Sequence, residues 1–455
     1  MATENQEKAG FPKNTWNWVK GLFSKVVTAV TNAAKDGKKL AEEDPRRVVH
    51  SLKVGLAITL VSLLYYFDDP LYDGFGVSAM WAVMTVVVVF EFSVGATLGK
   101  GVNRGIATLL GGALGVGAHR LASLSGDRIE PVFLGLSVFL IASVVTFMRF
   151  YPDLKARYDY GLMIIILTVS LICVSGYRDD EVLDMAYIRL STVLIGGAAS
   201  VFICVLIRPI WAGEDLHNLI AANIENLGIF LEGFGSEYFS SDEKNQEKKA
   251  SLDEYKSVLN SKGTEESLVN FAKWEPRHGK FRYRQPWEQY LKIGASTREC
   301  AYRIEALSGY MNSEMQTPME IRAKIQESCT KMSTECSCAL GELSAAIKTM
   351  TQATTADVHV SNAKTASKNL KSLLKTSLWP DTDLVDIIPA ATVASLLIEI
   401  VSCTAQMADL VHELASLSKY KCPDDATRQN QINKEKTLPR TYSIEGSHNF
   451  SVAVE

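Results

Sequence analysis

Residues 76–120, GVSAMWAVMTVVVVFEFSVGATLGKGVNRGIATLLGGALGVGAHR, decide the fold. Two apolar runs flank a segment studded with glycine, and Lys100 and Arg104 stand one helical turn apart inside it. Apolar runs of this length without polar alternation predict helices rather than strands. A run near 75–92 approaches the length that crosses a hydrocarbon core of about 30 Å. A second follows at once near 100–121, so the pair predicts a tight hairpin turning around 92–100. Fixed positive charge at a membrane boundary, on a helix with little side-chain bulk, points to a pathway for anions.

Outward from this hairpin the apolar pattern recurs near 48–67, 131–149, 158–176 and 183–208. The expectation is an all-α membrane protein of six transmembrane helices followed by a cytosolic helical bundle domain. Four regions result: a cytosolic N-terminal segment over 1–47, an anion-channel domain over 48–211, a cytosolic helical domain over 212–419 and a disordered polar tail over 420–455. Asp44-Pro45 supplies a cap and a first-turn proline for the first span. Basic residues collect at one set of span ends, among them Lys38, Lys39, Arg46, Arg47, Lys53, Lys100, Arg104, Arg149, Lys155, Arg157 and Arg208. The opposite ends carry Asp68, Asp69, Asp73, Asp127, Glu130, Asp179, Asp180 and Glu181. The basic side is therefore cytosolic, with both termini inside. In 15–40, Trp16, Val19, Phe23, Val26 and Val30 recur at helical spacing among lysines. Such a helix lies on the cytosolic membrane surface or packs on the protein's own body.

The charge balance, 47 basic against 51 acidic residues, excludes a bulk field that would attract nucleic acid. No secretory signal precedes the first span. The eight cysteines are scattered and suit a reducing compartment. Cys336-x-Cys338 has no second pair and no nearby histidine, which argues against zinc. GATLGKG at 95–101 falls one residue short of a phosphate loop and ends in Gly101 where a hydroxyl residue is required. The seven histidines suggest neither a triad nor a metal cluster, so the chain reads as no enzyme. Beyond residue 212 amphipathic helical patterns occupy 251–261, 288–315, 318–352, 357–378 and 384–418, with an aromatic and basic loop, WEPRHGKFRYRQPW, at 274–287.

Lys100, Arg104 and Thr108 share a helix face, and Arg189 stands a turn and a half inside the last span. Arginine holds a carboxylate with two parallel bonds, so Lys100, Arg104 and Arg189 are the candidate anion-pore residues. For Lys53, Arg149 and Arg157 contact with lipid headgroups is the simpler explanation. On the acidic side Asp180 and Asp184 are one turn apart and Asp73 precedes the second span. These oxygens suit a hard cation, while helix capping fits the same spacing.

AMWAVMTVVVVFEFSVGATLGKGVNRG (79–105), YDYG (158–161), SGYRDDE (175–181), PIWAGEDLH (209–217) and FAKWEPRHGKFRYRQPW (271–287) closely resemble the plant aluminium-activated malate transporters. EDPRRVVHSLKVGLA (43–57) and VHELA (411–415) extend the likeness. The resemblance implies a homodimeric anion channel mediating passive efflux of malate and other anions. It also implies extracellular carboxylates that bind the activating aluminium ion, here Asp73, Asp180 and Asp184, and no cofactor besides that possible activator. A stretch linked to inhibition by γ-aminobutyrate is matched by Trp211, Gly213, Asp215 and His217, with Leu206 where an aromatic residue is often found. The plasma membrane is the expected location, multi-pass among lipid, with the vacuolar membrane as the alternative. A proton-coupled organic-anion carrier is the rival function.

Overall fold

The computed structural model describes residues 13–67, 80–126, 128–175, 182–239, 253–279, 285–311, 318–375 and 384–421. Contacts divide the chain into two units at Trp211/Ala212. The first unit contains α1 (Lys13–Glu43), α2 (Pro45–Phe67), α3 (Met80–Val89), α4 (Val94–Ser123), α5 (Glu130–Met148), α6 (Pro152–Ser175) and α7 (Val182–Leu206). Asp44 alone separates α1 from α2. Its carboxylate accepts the backbone N–H of Arg46 at 3.0 Å and the Arg46 guanidinium at 3.1 Å. With Pro45 at the first helical position this is the start expected from the sequence.

Four described helices are long and apolar enough to cross a membrane: α5, α6, α7 and the stretch Ile387–Leu417 of the second unit. All six expected stretches contain a helix, but three fall short of that test. α2 carries Arg46, Arg47 and Lys53; α4 is diluted by glycine and interrupted by Lys100 and Arg104. The described part of α3 has 10 residues, a rise of about 15 Å. Residues 68–79 lie outside the described residues.

The hairpin differs from expectation. Helix α4 begins at Val94, not near 100, so the turn shrinks to 90–93. Ser93, in extended conformation, accepts the backbone N–H of Ala96 at 3.2 Å and caps the helix. The Thr97 hydroxyl donates to the Glu91 carbonyl at 3.1 Å and accepts the Glu91 N–H at 3.0 Å, folding the turn onto the helix. Lys100 is consequently in the second turn of α4 rather than at its start.

Helix α4 is the hub of the first unit, packing on α5, α6 and α7, while α3 packs on α7 and α2. Two of its glycines make the approach to α6 possible. A Cβ on Gly111 would lie 2.9 Å from the Thr168 Cβ, and one on Gly115 would lie 2.9 Å from the Ile172 Cβ. Small residues at this spacing let helices meet backbone to side chain in lipid. Helix α5 is the least covered, with Phe139, Val144 and Phe147 exposed.

The second unit contains α8 (Ala212–Phe239), α9 (Lys256–Leu259), α10 (Lys262–Ala272), α11 (Trp287–Met311), α12 (Met319–Thr349), α13 (Ala356–Lys375) and α14 (Leu384–Leu417). Helix α10 was absent from the expected pattern. Its core runs from Leu216, Ile220 and Phe230 through Ile293 and Ile304 to Leu340, Leu397 and Val411. Helices α8 and α12 are antiparallel and joined by hydroxyls. Ser344 donates to the Ala221 carbonyl at 2.8 Å, Ser337 to Gly228 at 2.8 Å, and Ser333 to Leu231. Helix α14 is apolar enough to span a bilayer, yet one face is consumed by the packing of α11, α12 and α13 in this core. An isolated bridge pairs Thr351 with Lys421. The expected tail lies outside the described residues from 422 on.

Candidate anion site

Two of the three expected pore residues come together inside the first unit. Arg104, on α4, and Arg189, on α7, are each 5% exposed, and their guanidiniums are close enough to repel one another. Helix period puts Arg104 on the face that α4 turns to α6 and α7, four residues before the buried Thr108. Arg104 Nη1 donates to the Tyr160 hydroxyl of α6 at 2.8 Å. The Arg189 guanidinium lies over the indole of Trp81 on α3, with its central carbon 4.2 Å from the ring centroid. The pair is thus framed by four helices.

Neither guanidinium has a carboxylate within salt-bridge range among the described residues. Arg104 Nε, Arg189 Nε and Arg189 Nη1 are buried without a hydrogen-bond partner, as is the Thr168 hydroxyl on α6. Buried donors are normally satisfied and buried charges normally paired. Two like charges with idle donors therefore form a strongly electropositive locus that an anion would neutralise.

Lys100 does not join them as a bare charge. It is half-buried, ion-paired with Glu91 across the 90–93 turn, and its ammonium lies 5.8 Å from the centroid of the Tyr160 ring. Glu91, Tyr160 and Trp81 are the residues that the sequence reading left without a role. Tyr160 was quoted only within YDYG, and Trp81 only as part of an apolar run.

The headgroup explanation fails for Lys53, and Arg149 has a protein partner as well. Lys53 is 2% exposed, and its ammonium donates to the Arg208 carbonyl at 2.8 Å, where Arg208 adopts a left-handed φ of 40° just beyond α7. Arg149 makes a two-pronged ion pair with Asp159 at 2.7 and 3.1 Å. The guanidinium of Arg157 lies 5.4 Å from the Tyr158 ring centroid.

Of the expected aluminium ligands, Asp73 and Asp180 lie outside the described residues. Asp184 is exposed in the first turn of α7. Among the described residues no group of three or more His, Cys, Asp or Glu side chains is placed to hold a metal ion. A hard cation needs several oxygens, of which Asp184 supplies one carboxylate.

The expected regulatory stretch divides between environments. Trp211 is half-buried against the Ala57, Val86 and Phe90 cluster of the first unit. In the second unit the backbone N–H groups of Ala212 and Gly213 donate to the Glu275 carboxylate at 2.5 and 3.0 Å, a carboxylate cap on the positive end of α8. A Cβ on Gly213 would come within 2.7 Å of the Trp287 ring. Asp215 is half-buried. His217 is buried with Nδ1 2.9 Å from the Tyr290 hydroxyl, itself 3.5 Å from that of Tyr420. Burial, then the neighbouring Tyr420, push the Tyr290 phenol well above its ordinary value.

Comparison with known proteins matches this arrangement to one family. The family model described as aluminium activated malate transporter matches residues 38–379. Aluminum-activated malate transporter 2 of Arabidopsis thaliana is 51% identical over 424 residues, covering 92% of this chain and 84% of the relative. Aluminum-activated malate transporter 1 of the same plant is 49% identical over 399 residues, 86% of this chain and 81% of the relative. The wheat protein, aluminum-activated malate transporter 1 of Triticum aestivum, is 46% identical over 400 residues, 85% of each chain. The match takes in both arginines, the helices that carry them and most of the second unit, and this chain belongs to the aluminium-activated malate transporter family.

Proposed function

We propose that the protein is a malate-permeable anion channel whose pathway passes the buried Arg104–Arg189 pair, driven passively by the membrane potential. The observation that carries this reading is the set of idle guanidinium nitrogens facing no carboxylate. A dicarboxylate would satisfy them with parallel, charge-assisted bonds and cancel the repulsion between the two arginines. Lys100, tempered by Glu91, then collects anions at the cytosolic end rather than selecting them. Six membrane helices per subunit, a cytosolic second unit and a homodimer complete the proposal, and the exposed apolar surface of α5 suits lipid or a second copy. The relatives' names support malate as the permeant and aluminium as an activator; action from outside through Asp73, Asp180 and Asp184 belongs to the proposal. The plasma membrane is the proposed site of action.

The test is electrical. Purified protein in planar bilayers, under a malate gradient at fixed pH, should give currents that reverse at the malate equilibrium potential. External aluminium should increase them, and Asp184→Asn should blunt that increase. Reversal potentials that follow a pH gradient at fixed malate would instead establish a proton-coupled carrier.

A further inference from the structure

Helices α11 and α14 run antiparallel, and three cross-links set their register. Gln289 donates to the Leu410 carbonyl at 3.0 Å and to the Glu413 carboxylate at 2.9 Å. The Thr297 hydroxyl lies 3.6 Å from the Met407 sulfur. Arg303 donates to Glu399 at 3.0 Å. Each step forward on α11 is answered by a step back on α14, so position 300 falls opposite position 403. Both are cysteines, both are unbridged thiols, and both are buried, Cys403 with 4% exposure. The two thiols are electrostatic neighbours, each the first influence on the other's proton affinity.

The two sulfurs experience different surroundings. Cys300 gives up its proton least readily, because of the neighbouring Cys403 and the dryness of the site. Cys403 is held below the ordinary thiol value, first by the neighbouring Cys300 and then by the Arg303 guanidinium. Burial and the Glu299 and Glu399 carboxylates oppose this. Arg303 bonds both of those carboxylates at 3.0 Å and remains 26% exposed. Cys403 stands one turn beyond Glu399 on α14 and beside this charged cluster, and it keeps a trace of exposure where Cys300 has none. A thiolate-favouring sulfur beside a thiol that holds its proton is the arrangement of an attacking and a resolving cysteine.

We propose that Cys300 and Cys403 form an oxidisable dithiol, a modification site for peroxide that pins α11 to α14. The Cys403 thiolate attacks one peroxide oxygen and the O–O bond breaks. Cys403 becomes a sulfenic acid and the departing hydroxide takes a proton to leave as water. Cys300 then surrenders its proton and attacks the Cys403 sulfur, forming the S–S bond and expelling a second water. Two thiols are oxidised by two electrons while one peroxide is reduced to two waters. Cys336, on α12, carries a buried thiol of its own that burial pushes up to about 12, so it remains protonated and inert.

The test uses the full-length chain in lipid nanodiscs, titrated with hydrogen peroxide and digested without reductant. Mass spectrometry should show peptides containing Cys300 and Cys403 joined, with both free thiols lost in equal proportion. The bridge should revert with dithiothreitol. In Cys300→Ser, a dimedone adduct should accumulate at Cys403, since nothing resolves the sulfenic acid. In Cys403→Ser, Cys300 should stay unlabelled. The wild-type mapping needs no substitution, so it decides even if a variant misfolds. Oxidation of the exposed Cys338 while Cys300 and Cys403 remain reduced, or a bridge between any other pair, overturns the proposal.

Discussion

Replacing Arg189 by Gln removes one of two buried positive charges and two nitrogens that have no protein partner. If those nitrogens hold a permeating carboxylate, the loss is that of a charge-assisted hydrogen bond, about 1.5–3 kcal/mol. At about 1.4 kcal/mol per tenfold, the half-saturating malate concentration should rise by roughly 10- to 150-fold. Arg189→Lys keeps the charge and loses the planar fork, so it should fall between wild type and Gln. Arg189→Gln has an opposite consequence for folding. It relieves the repulsion with Arg104 and forfeits only the contact with Trp81, of order 0.5–2 kcal/mol. The thermal midpoint in detergent should therefore hold steady or rise. Currents recorded against malate concentration, alongside thermal unfolding of the same preparation, separate the two roles. A half-saturation within twofold of wild type, combined with a lowered midpoint, would show Arg189 to be a structural residue and refute the anion site.

Gly115→Ala should destabilise the first unit by about 1–3 kcal/mol, because the added methyl meets the Ile172 Cβ at 2.9 Å; Gly117→Ala, with open space around it, is the control in thermal melts. The second unit should lose stability in alkali. Burial raises Tyr255 and Tyr420 from 10.0 to about 12, so below pH 10 both phenols keep their protons folded or unfolded. Between pH 10 and about 12 only the unfolded chain releases them, and stability falls as pH rises, by on the order of 2 kcal/mol per phenol. Tyr420→Phe should flatten that decline in circular-dichroism unfolding curves. Helix α1 exposes Phe23, Val26, Val27 and Val30 along one stripe, with Lys25, Lys35, Lys38 and Lys39 also exposed. Its amides should exchange more slowly in nanodiscs containing anionic lipid than in neutral ones; equal protection in both would place the stripe against protein instead.

Helix positions and the deep Arg189 were legible because each depends on local sequence, whereas Arg104 read as a span-end charge and is as buried as Arg189. Apolar runs mark the helices, and an arginine flanked by apolar turns marks its own oddity. The turn at 90–93 was misjudged because VVVVFEF contains no glycine or proline to announce an end, although Ser93 three residues before Ala96 was the available cap signal. The partners of Lys100, Lys53 and Arg149 were not legible as such. Pairing depends on which backbone and side-chain atoms the packed helices bring together, and spacing along one helix carries no information about its neighbour. Gly111 and Gly115 could be recognised as packing residues, but not that Thr168 and Ile172 fill the space before them. Helix α14 shows the limit of hydropathy, since a long apolar helix reads alike whether lipid or a protein core covers it.

The Lys53–Arg208 clasp bears on how the protein is made. The ammonium leaves the ribosome early, while the carbonyl that satisfies it is 155 residues further along the chain. At a synthesis rate of about 5–20 residues per second, the wait is roughly 8–30 s. During that interval the charge must stay hydrated, so α2 cannot yet take its final packing against the later helices. Only the arrival of the residue after α7 lets Lys53 withdraw from water. Translation pausing before Arg208 should therefore prolong a state in which the first helix is still exchangeable and the bundle is open.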